Sequence, residues 1–597
     1  IGIGIMPTLL LVLSSLTTSA LGLGKAPVLL RTYGVSPHWS FDPKDGKPGA
    51  RPTLAKTGSD FVPQAQLDAA KNKFEKVKLA KDGTRAWEEI HELSDKLRSG
   101  ECTWEELDLD DINLRLKWSG FFHRNKQEPK TFMVRLKLPN GILTSDQART
   151  LAGLVEPYPD YGVLDITTRM NMQLRGIRLE DASHVVDTLF GCGLSSVQSG
   201  LDNVRNMVGS PLAGIDPHET LDTRPICTMI NDCITGANRG NPEFTNLPRK
   251  FNIAVSGSRD DFAHTTINDI GLQPIAHPGM PGVDGFNVVL GGYFSIKRAA
   301  EAIPFDAWIR AEDAAEFSAA VLEVFRDHGE RGADRQKTRL LWLLEAKGLD
   351  WFRQRVNERL EARGVEPLRR AAPPHEGTFA RRDIMGVHPQ RQDGKSWVGI
   401  TVPAGRCTPT DFRELADLAD EFSDGEIRLT VEQNVVLPNV DNGRVAALLE
   451  APLLNRGGMR VERGISLMRG VVSCTGSNGC GQGLVETKAR AVRVAKRLDT
   501  ELEFPRLVRL HWTGCPNSCG QAQVGDIGLM GSPAKKFNEE TGKYMAVEGV
   551  KVFLGGEVGE AAELGQALDD TAIPADDDEL VPHLKELLIT KFGATPR

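Results

Sequence analysis

Several things are scarce in this sequence, and each scarcity removes a class of protein. Nine cysteines in 597 residues are too few for a disulfide scaffold. There is no basic excess: a net charge of −8 argues against a nucleic-acid binder, although it leaves room for a local basic patch. No polar low-complexity tract interrupts a composition of 40% apolar and 25% charged residues, so an ordinary globular chain is expected. No G-x-G-x-x-G run links a strand to a helix and no flavin domain is evident, which argues against direct use of a nicotinamide nucleotide. The apolar stretch Leu9 to Leu23 is broken by Ser, Thr and Gly and is too short for a membrane span, so no stable membrane association is expected.

The chain is too long for one core, and several domains are expected. Ahead of them, Met6-Pro7-Thr8 precedes the apolar stretch, and Ser19 and Ala20 resemble the end of a signal-peptide apolar region. Six basic residues follow (Lys25, Arg31, Lys44, Lys47, Arg51, Lys56) against only Asp42 and Asp45. A basic, acid-poor stretch after an apolar one points to a two-part plastid-targeting sequence. The alternative is a disordered tail, because positive charges before the apolar region are missing.

Self-similarity at a long period organises the remainder. Leu138-Pro139-Asn140-Gly141 leads into Thr144-Ser145-Asp146-Gln147, and Val402-Pro403-Ala404-Gly405 leads into Thr408-Pro409-Thr410-Asp411. Both read as capping boxes, with Thr at the N-cap and an amide or carboxylate three residues on. Apolar residues then recur at helical spacing: Leu151, Leu154 and Val155 in one half, Leu415, Leu418 and Ala419 in the other. Asp165–Asn171 matches Arg428–Asn434, both strand-like, and Phe286–Gly292 matches Val550–Gly556. The offset stays at 263 to 264 residues, so the expected fold is α+β with pseudo-twofold halves. Each half would be a small strand–helix–strand unit followed by a larger mixed α/β unit, with a cofactor site between them. His123 and His388 match as well, and packing or turn roles suit them as readily as cofactor contact.

The halves differ where chemistry is expected. The second carries Cys474 and Cys480 across five residues and Cys515 and Cys519 across three, with a helix over about Leu484 to Leu498 between them. Four thiolates from two Gly-rich loops suit a [4Fe–4S] cluster. Zinc would favour shorter knuckles, disulfides an oxidising compartment, and buried structural thiols a less clustered spacing. Cys102, Cys192, Cys227, Cys233 and Cys407 read as core or incidental thiols. The first half has a basic group instead: Arg135, Arg169, Arg205, Arg249 and Lys250.

The segments Cys474-Thr475-Gly476…Cys480-Gly481-Gln482, Glu486-Thr487-Lys488-Ala489-Arg490 and His511-Trp512-Thr513-Gly514-Cys515-Pro516-Asn517-Ser518-Cys519 closely resemble ferredoxin–nitrite reductases of plastids and cyanobacteria, in the siroheme nitrite/sulfite reductase family. The resemblance runs from about Asn113 to the C-terminus and includes Phe132–Leu138, Asp202–Asn206 and Asn246–Asn252. It implies that Cys474, Cys480, Cys515 and Cys519 hold the cluster and that Cys519 also bridges to a siroheme iron. Siroheme carries eight carboxylates, for which Arg169, Arg249 and Asn517 are the implied partners. Arg135, Arg205, Lys250 and Asn252 are the implied substrate-facing residues, with Lys250 as proton relay and the arginines as electrostatic clamps. Reduced ferredoxin is the implied electron donor, nitrite the substrate, a monomer the expected form, and the plastid stroma the expected place, with the cytoplasm as alternative.

The expected divisions are 1–57, a targeting or disordered segment; 58–125, an N-terminal helical extension; 126–195, a first ferredoxin-like half-domain; 196–375, a first siroheme-binding α/β domain without cluster; 376–460, a second half-domain; and 461–597, the [4Fe–4S]/siroheme domain. Sulfite reductase is the nearest rival. Cys-Thr-Gly at Cys474 and Asn252 in place of a second lysine favour the smaller monoanion, while Gly479 and Gly483 depart slightly from the family pattern. A redox carrier or sensor on a borrowed fold would not need the Arg135–Arg205–Lys250 group.

Overall fold

Neither small unit completes its own sheet. In the computed structural model, which describes residues 39–40, 53–124, 130–462 and 464–597, two antiparallel five-stranded sheets exchange edge strands. The first runs Arg406–Cys407, Leu164–Ile166, Met172–Arg178, Thr131–Arg135, Phe121–His123. The second runs Gly386–Pro389, Lys395–Ile400, Val435–Asp441, Glu426–Leu429, Ile142–Thr144. Arg406 pairs with Asp165 across one junction and Ile142 with Arg428 across the other, positions that match in the repeat.

Local chemistry makes the exchange possible. At the matched turns Asn140 (φ 57°) and Ala404 (φ 48°) turn the chain, and Gly141 and Gly405 follow at φ 67°. A Cβ on Gly141 would lie 2.6 Å from that of Met170, so only glycine fits. Thr144 and Thr408 then cap the helices Ser145–Val155 and Pro409–Phe422 through the expected boxes with Gln147 and Asp411. The two helices pack on each other. Leu151, Leu154, Val155, Leu415, Leu418 and Ala419 all enter one core built from both halves. Arg149 bonds Asp417 and Asp420, and Arg413 bonds Glu156, along the rim.

One strand expectation needs correction. Asp165–Asn171 and Arg428–Asn434 are not continuous strands: pairing stops at Ile166 and Leu429, and a turn follows. Met170 (φ 48°) and Gln433 (φ 63°) reverse the chain, which ends the ladder and leaves Arg169 on the turn rather than in the sheet. The helix expected over Leu484 to Leu498 begins later, at Lys488, and ends at Glu501, because the residues before it wrap the cysteine loop.

The larger units share a topology. In the first, the parallel bridges Val204–Phe251 and Val208–Ala254 lead to the parallel pair Ile253–Val255 and Ile270–Pro274, then antiparallel Gly285–Leu290 and Ile303–Arg310. In the second, Val471–Ser473, Leu510–Thr513 and Ile527–Asn538 are parallel neighbours, and Lys543–Leu554 is antiparallel. Helices Thr223–Thr235 and Lys488–Glu501 occupy matching places, as do Ala314–His328 and Asp577–Phe592. The register sets Ser210, Ser258 and Phe262 where the second unit has Cys474, Cys515 and Cys519. Even the left-handed residues correspond, Asp261 to Ser518 and His264 to Gln521.

The N-terminal extension is tied down by charge. Lys78 and Glu75, both buried on the helix Lys73–Ala80, pair with each other, with Asp202 and with Arg331, and Arg335 joins Asp202 at 2.5 Å. The targeting segment falls for the most part outside the described residues. No helix among the described residues is long and apolar enough to cross a membrane.

Asp165 anchors the strand exchange. Its buried carboxylate accepts from Arg175 (2.5 Å) and from Arg406 (2.8 and 2.9 Å), with Lys488 at 3.8 Å. Burial alone would raise its pKa, yet Arg406, Lys488 and Arg175 hold it well below the usual carboxylate range. Asp165→Ala strands three cations and is expected to cost about 3–5 kcal/mol. A clear fall in the urea midpoint checks this; an unchanged midpoint contradicts it.

Candidate functional site

The four clustered cysteines come from two loops that leave the same end of the sheet in the second large unit. Cys474 follows Val471–Ser473, Cys515 and Cys519 follow Leu510–Thr513, and these strands are parallel neighbours, so their C-terminal ends lie side by side. The Cys474 amide donates to the Trp512 carbonyl at 3.0 Å. Amides of Gly514 and Gly476 point at Cys474 Sγ, 3.1 and 3.4 Å away, and Asn517 Nδ2 lies 3.5 Å from Cys515 Sγ. All four cysteines line one cavity of about 150 Å³, and Arg135 and Arg169 of the first half line it too.

The four cysteines share this space, although among the described residues no three His, Cys, Asp or Glu are placed to hold a single ion. Burial, and then Cys519, push the Cys474 thiol up to about 11, and burial raises Cys515 as well. Thiols in this condition ionise only when a cation takes up the charge. Cys519 is the exposed one of the four. Its carbonyl accepts from Thr168 Oγ1 at 3.1 Å, which ties the two halves together at this residue. All nine cysteines are free thiols; Cys227, Cys233 and Cys407 are buried and stand apart from the cavity, and Cys102 and Cys192 are half-buried.

The expected basic residues form one electrostatically coupled group, of which Arg135 and Arg169 line the cavity. Arg135, at the end of Thr131–Arg135, rests over the Phe122 ring at 4.4 Å. Burial lowers its pKa to about 10, with Arg169 and Arg124 adding to the effect and Cys519 and Cys480 opposing it. Arg205 is held by two carbonyls, Nη1 to Asn203 at 3.1 Å and Nη2 to Leu201 at 2.8 Å. Its pKa falls through burial, then Arg135 and Arg169. Arg249 is lowered to about 10 by burial and by Arg335. Lys250 is lowered well below its ordinary value by burial first, then by Arg339, with Cys519 opposing. Asn252 is buried, its backbone N–H held by Asp269 at 2.8 Å.

Two buried polar atoms in this group are left without partners, Arg169 Nε and Asn252 Oδ1. Desolvated cations that depress one another's pKa, together with these orphaned atoms, fit a buried polyanion and a small anionic ligand.

Sequence reasoning missed the residues that hold this group in place. Lys137 Nζ donates to the carbonyls of Val204 (2.7 Å) and Arg205 (3.2 Å). Asn206 accepts from the Leu138 amide and donates to the carbonyls of Leu138, Arg169 and Met170, fastening three segments at once. Asp269 joins Asn252 to Arg339, which it binds at 2.6 Å. Only spacing to distant partners distinguishes them, and a single sequence does not display it. His123 and His388 prove to be packing residues: His123 lies against Trp104 and Phe132, and His388 stacks on Trp397.

Residues 200–363 and 464–590 match the nitrite and sulphite reductase 4Fe-4S domain, and 123–189 and 388–454 match the nitrite/sulfite reductase ferredoxin-like half domain. The chain is 47% identical to the chloroplastic ferredoxin–nitrite reductase of Zea mays, over 91% of this chain and 93% of that one. It is 48% identical to the ferredoxin–nitrite reductase of Synechococcus elongatus, over 88% and 98%. The solved NirA protein of Mycobacterium tuberculosis shares the fold at a TM-score of 0.76 and 27% identity, covering 87% of this chain and 93% of that one. The chain belongs to the nitrite and sulphite reductase family, and within it to the ferredoxin–nitrite reductases.

Exposure and ionisation predict an order of thiol reactivity. In the cofactor-free chain at pH 8, iodoacetamide should label Cys519 about 10-fold or more faster than Cys474. Peptide mass spectrometry reads the order; equal rates would contradict the geometry.

Proposed function

We propose that this chain reduces nitrite to ammonia with six electrons from reduced ferredoxin, using a [4Fe–4S] cluster and a siroheme, in nitrate assimilation. The observation that supports this most is one cavity lined both by the four cysteines of the second half and by Arg135 and Arg169 of the first. Cys474, Cys480, Cys515 and Cys519 would hold the cluster, and Cys519 would be shared with the siroheme iron. Arg169, Arg249 and Asn517 would meet the siroheme carboxylates, and the partnerless Arg169 Nε supports that role. When bound, siroheme would supply the iron that takes the anion, and the two cofactors would relay to it the electrons that come from ferredoxin.

The remaining work falls to side chains. Nitrite, six electrons and eight protons give ammonium and two waters, so the site must clamp an anion and deliver protons. Arg205, with two of its N–H groups fixed on carbonyls, presents the others without paying to order the side chain. Arg135 adds a second cation where negative charge develops on oxygen. Lys250 donates protons at Nζ: burial and Arg339 lower its pKa, which makes proton release at neutral pH less costly. Asn252 Oδ1 accepts a hydrogen bond from a protonated intermediate or water.

The divisions at 57, 125, 195, 375 and 460 are proposed with this reading, as is a monomer in the plastid stroma after loss of the targeting segment. The chloroplastic naming of the Zea mays relative supports that location.

Anaerobically prepared protein is expected to be coloured, with iron and labile sulfide present and nitrite turnover faster than sulfite turnover. Lys250→Ala should cut nitrite turnover about 10²–10⁴-fold with the absorption spectrum retained. Colourless, iron-free protein, faster sulfite turnover, or an undiminished Lys250→Ala variant would overturn the reading.

A further inference from the structure

One buried cation near the cysteine ring has no part in the chemistry above. Arg175 lies in the strand Met172–Arg178 of the first half and is 1% exposed. Its Nε donates to Asp165 at 2.5 Å and its Nη2 to the Thr475 hydroxyl at 2.5 Å. Thr475 sits directly after Cys474, so this bond runs from one half of the chain into the cysteine loop of the other. Nη1 is buried and has no partner. It faces Gly479, the residue before Cys480: a Cβ added there would fall 2.8 Å from Nη1 and 2.5 Å from Thr475 Cγ2. Gly479 is therefore what lets the guanidinium lie against the loop between the two cysteines.

Asp165 does not cancel this charge. The same carboxylate serves Arg406 and has Lys488 at 3.8 Å, so three cations share one anion and the surroundings stay positive. A cluster gains one negative charge on one-electron reduction, and a fixed cation a short distance away in a desolvated site favours the reduced form.

We propose that Arg175 is a positioning and tuning residue for the cluster, raising its reduction potential by its charge and holding the Cys474–Cys480 loop through Thr475. This rests on the reading that the four cysteines hold a [4Fe–4S] cluster. It also gives the Cys-Thr-Gly sequence and the unusual glycine at 479 a shared physical purpose: one supplies the acceptor and the other the room.

The test is an EPR-monitored redox titration of the holoenzyme with mediator dyes, beside iron and sulfide analysis. Arg175→Gln is expected to lower the cluster's midpoint potential, and Arg175→Lys to restore it to near the wild-type value. Gly479→Ala keeps every charge but pushes the guanidinium off the loop; it should lower the potential by a smaller amount, and it serves if Arg175→Gln fails to hold iron. A wild-type potential in Arg175→Gln or Gly479→Ala at full iron content overturns the proposal. So does an equal shift in Arg175→Gln and Arg175→Lys, which would mark lost loop shape rather than lost charge. Loss of siroheme alone, with the potential unchanged, also overturns it. Absence of any cluster from the wild-type protein would instead refute the reading of the site.

Discussion

Buried cations that repel one another are stable only if something negative lies among them, and most of this structure can be understood from that constraint. Arg135, Arg169, Arg205, Arg249 and Lys250 stand in a desolvated group, each with its pKa lowered by burial and most by a neighbouring cation too. In the second half stand four thiols, of which burial pushes Cys474 and Cys515 up in pKa. Neither side is complete alone. Arg135 and Arg169 meet the cysteines in one cavity, where Thr168 of the first half donates to the Cys519 carbonyl of the second.

Duplication followed by divergence explains how such opposition arises. The first large unit keeps the strand order, the helices and even the left-handed residues of the cysteine-bearing unit. It has Ser210, Ser258 and Phe262 where the second has cysteines, and Phe262 carries the Arg381 guanidinium on its ring at 5.2 Å. One copy of the loop could thus become ordinary buried structure while the cation-bearing segments of the same half turned toward the other copy. The exchanged edge strands make the halves inseparable, because neither five-stranded sheet exists without its partner.

Much of this was legible in the sequence for definite reasons. Capping boxes at Thr144 and Thr408 are local and were read correctly to the residue. The repeat offset was legible because both halves kept their turns, and the cysteine spacing was legible because a cluster tolerates few alternatives. The edge-strand exchange was not, since strands of two and three residues such as Arg406–Cys407 and Ile142–Thr144 show no alternation. Arg169 was assigned to a strand because a left-handed Met170 leaves no signature in residue type. Asp269, Asn206, Lys137 and Arg175 stayed hidden because their partners lie far away in sequence, and only the fold brings them to the site.

Cys519 belongs to both sides of this arrangement: it lines the cavity with the other three cysteines and interacts electrostatically with Lys250. Anomalous diffraction at the iron edge from anaerobically grown crystals tests that directly. The account predicts iron density within the ring of Cys474, Cys480, Cys515 and Cys519 and a further, separate iron against Cys519 Sγ on the side of Lys250. Iron confined to the ring, with nothing beyond Cys519, or a single metal held by the four sulfurs, would contradict it.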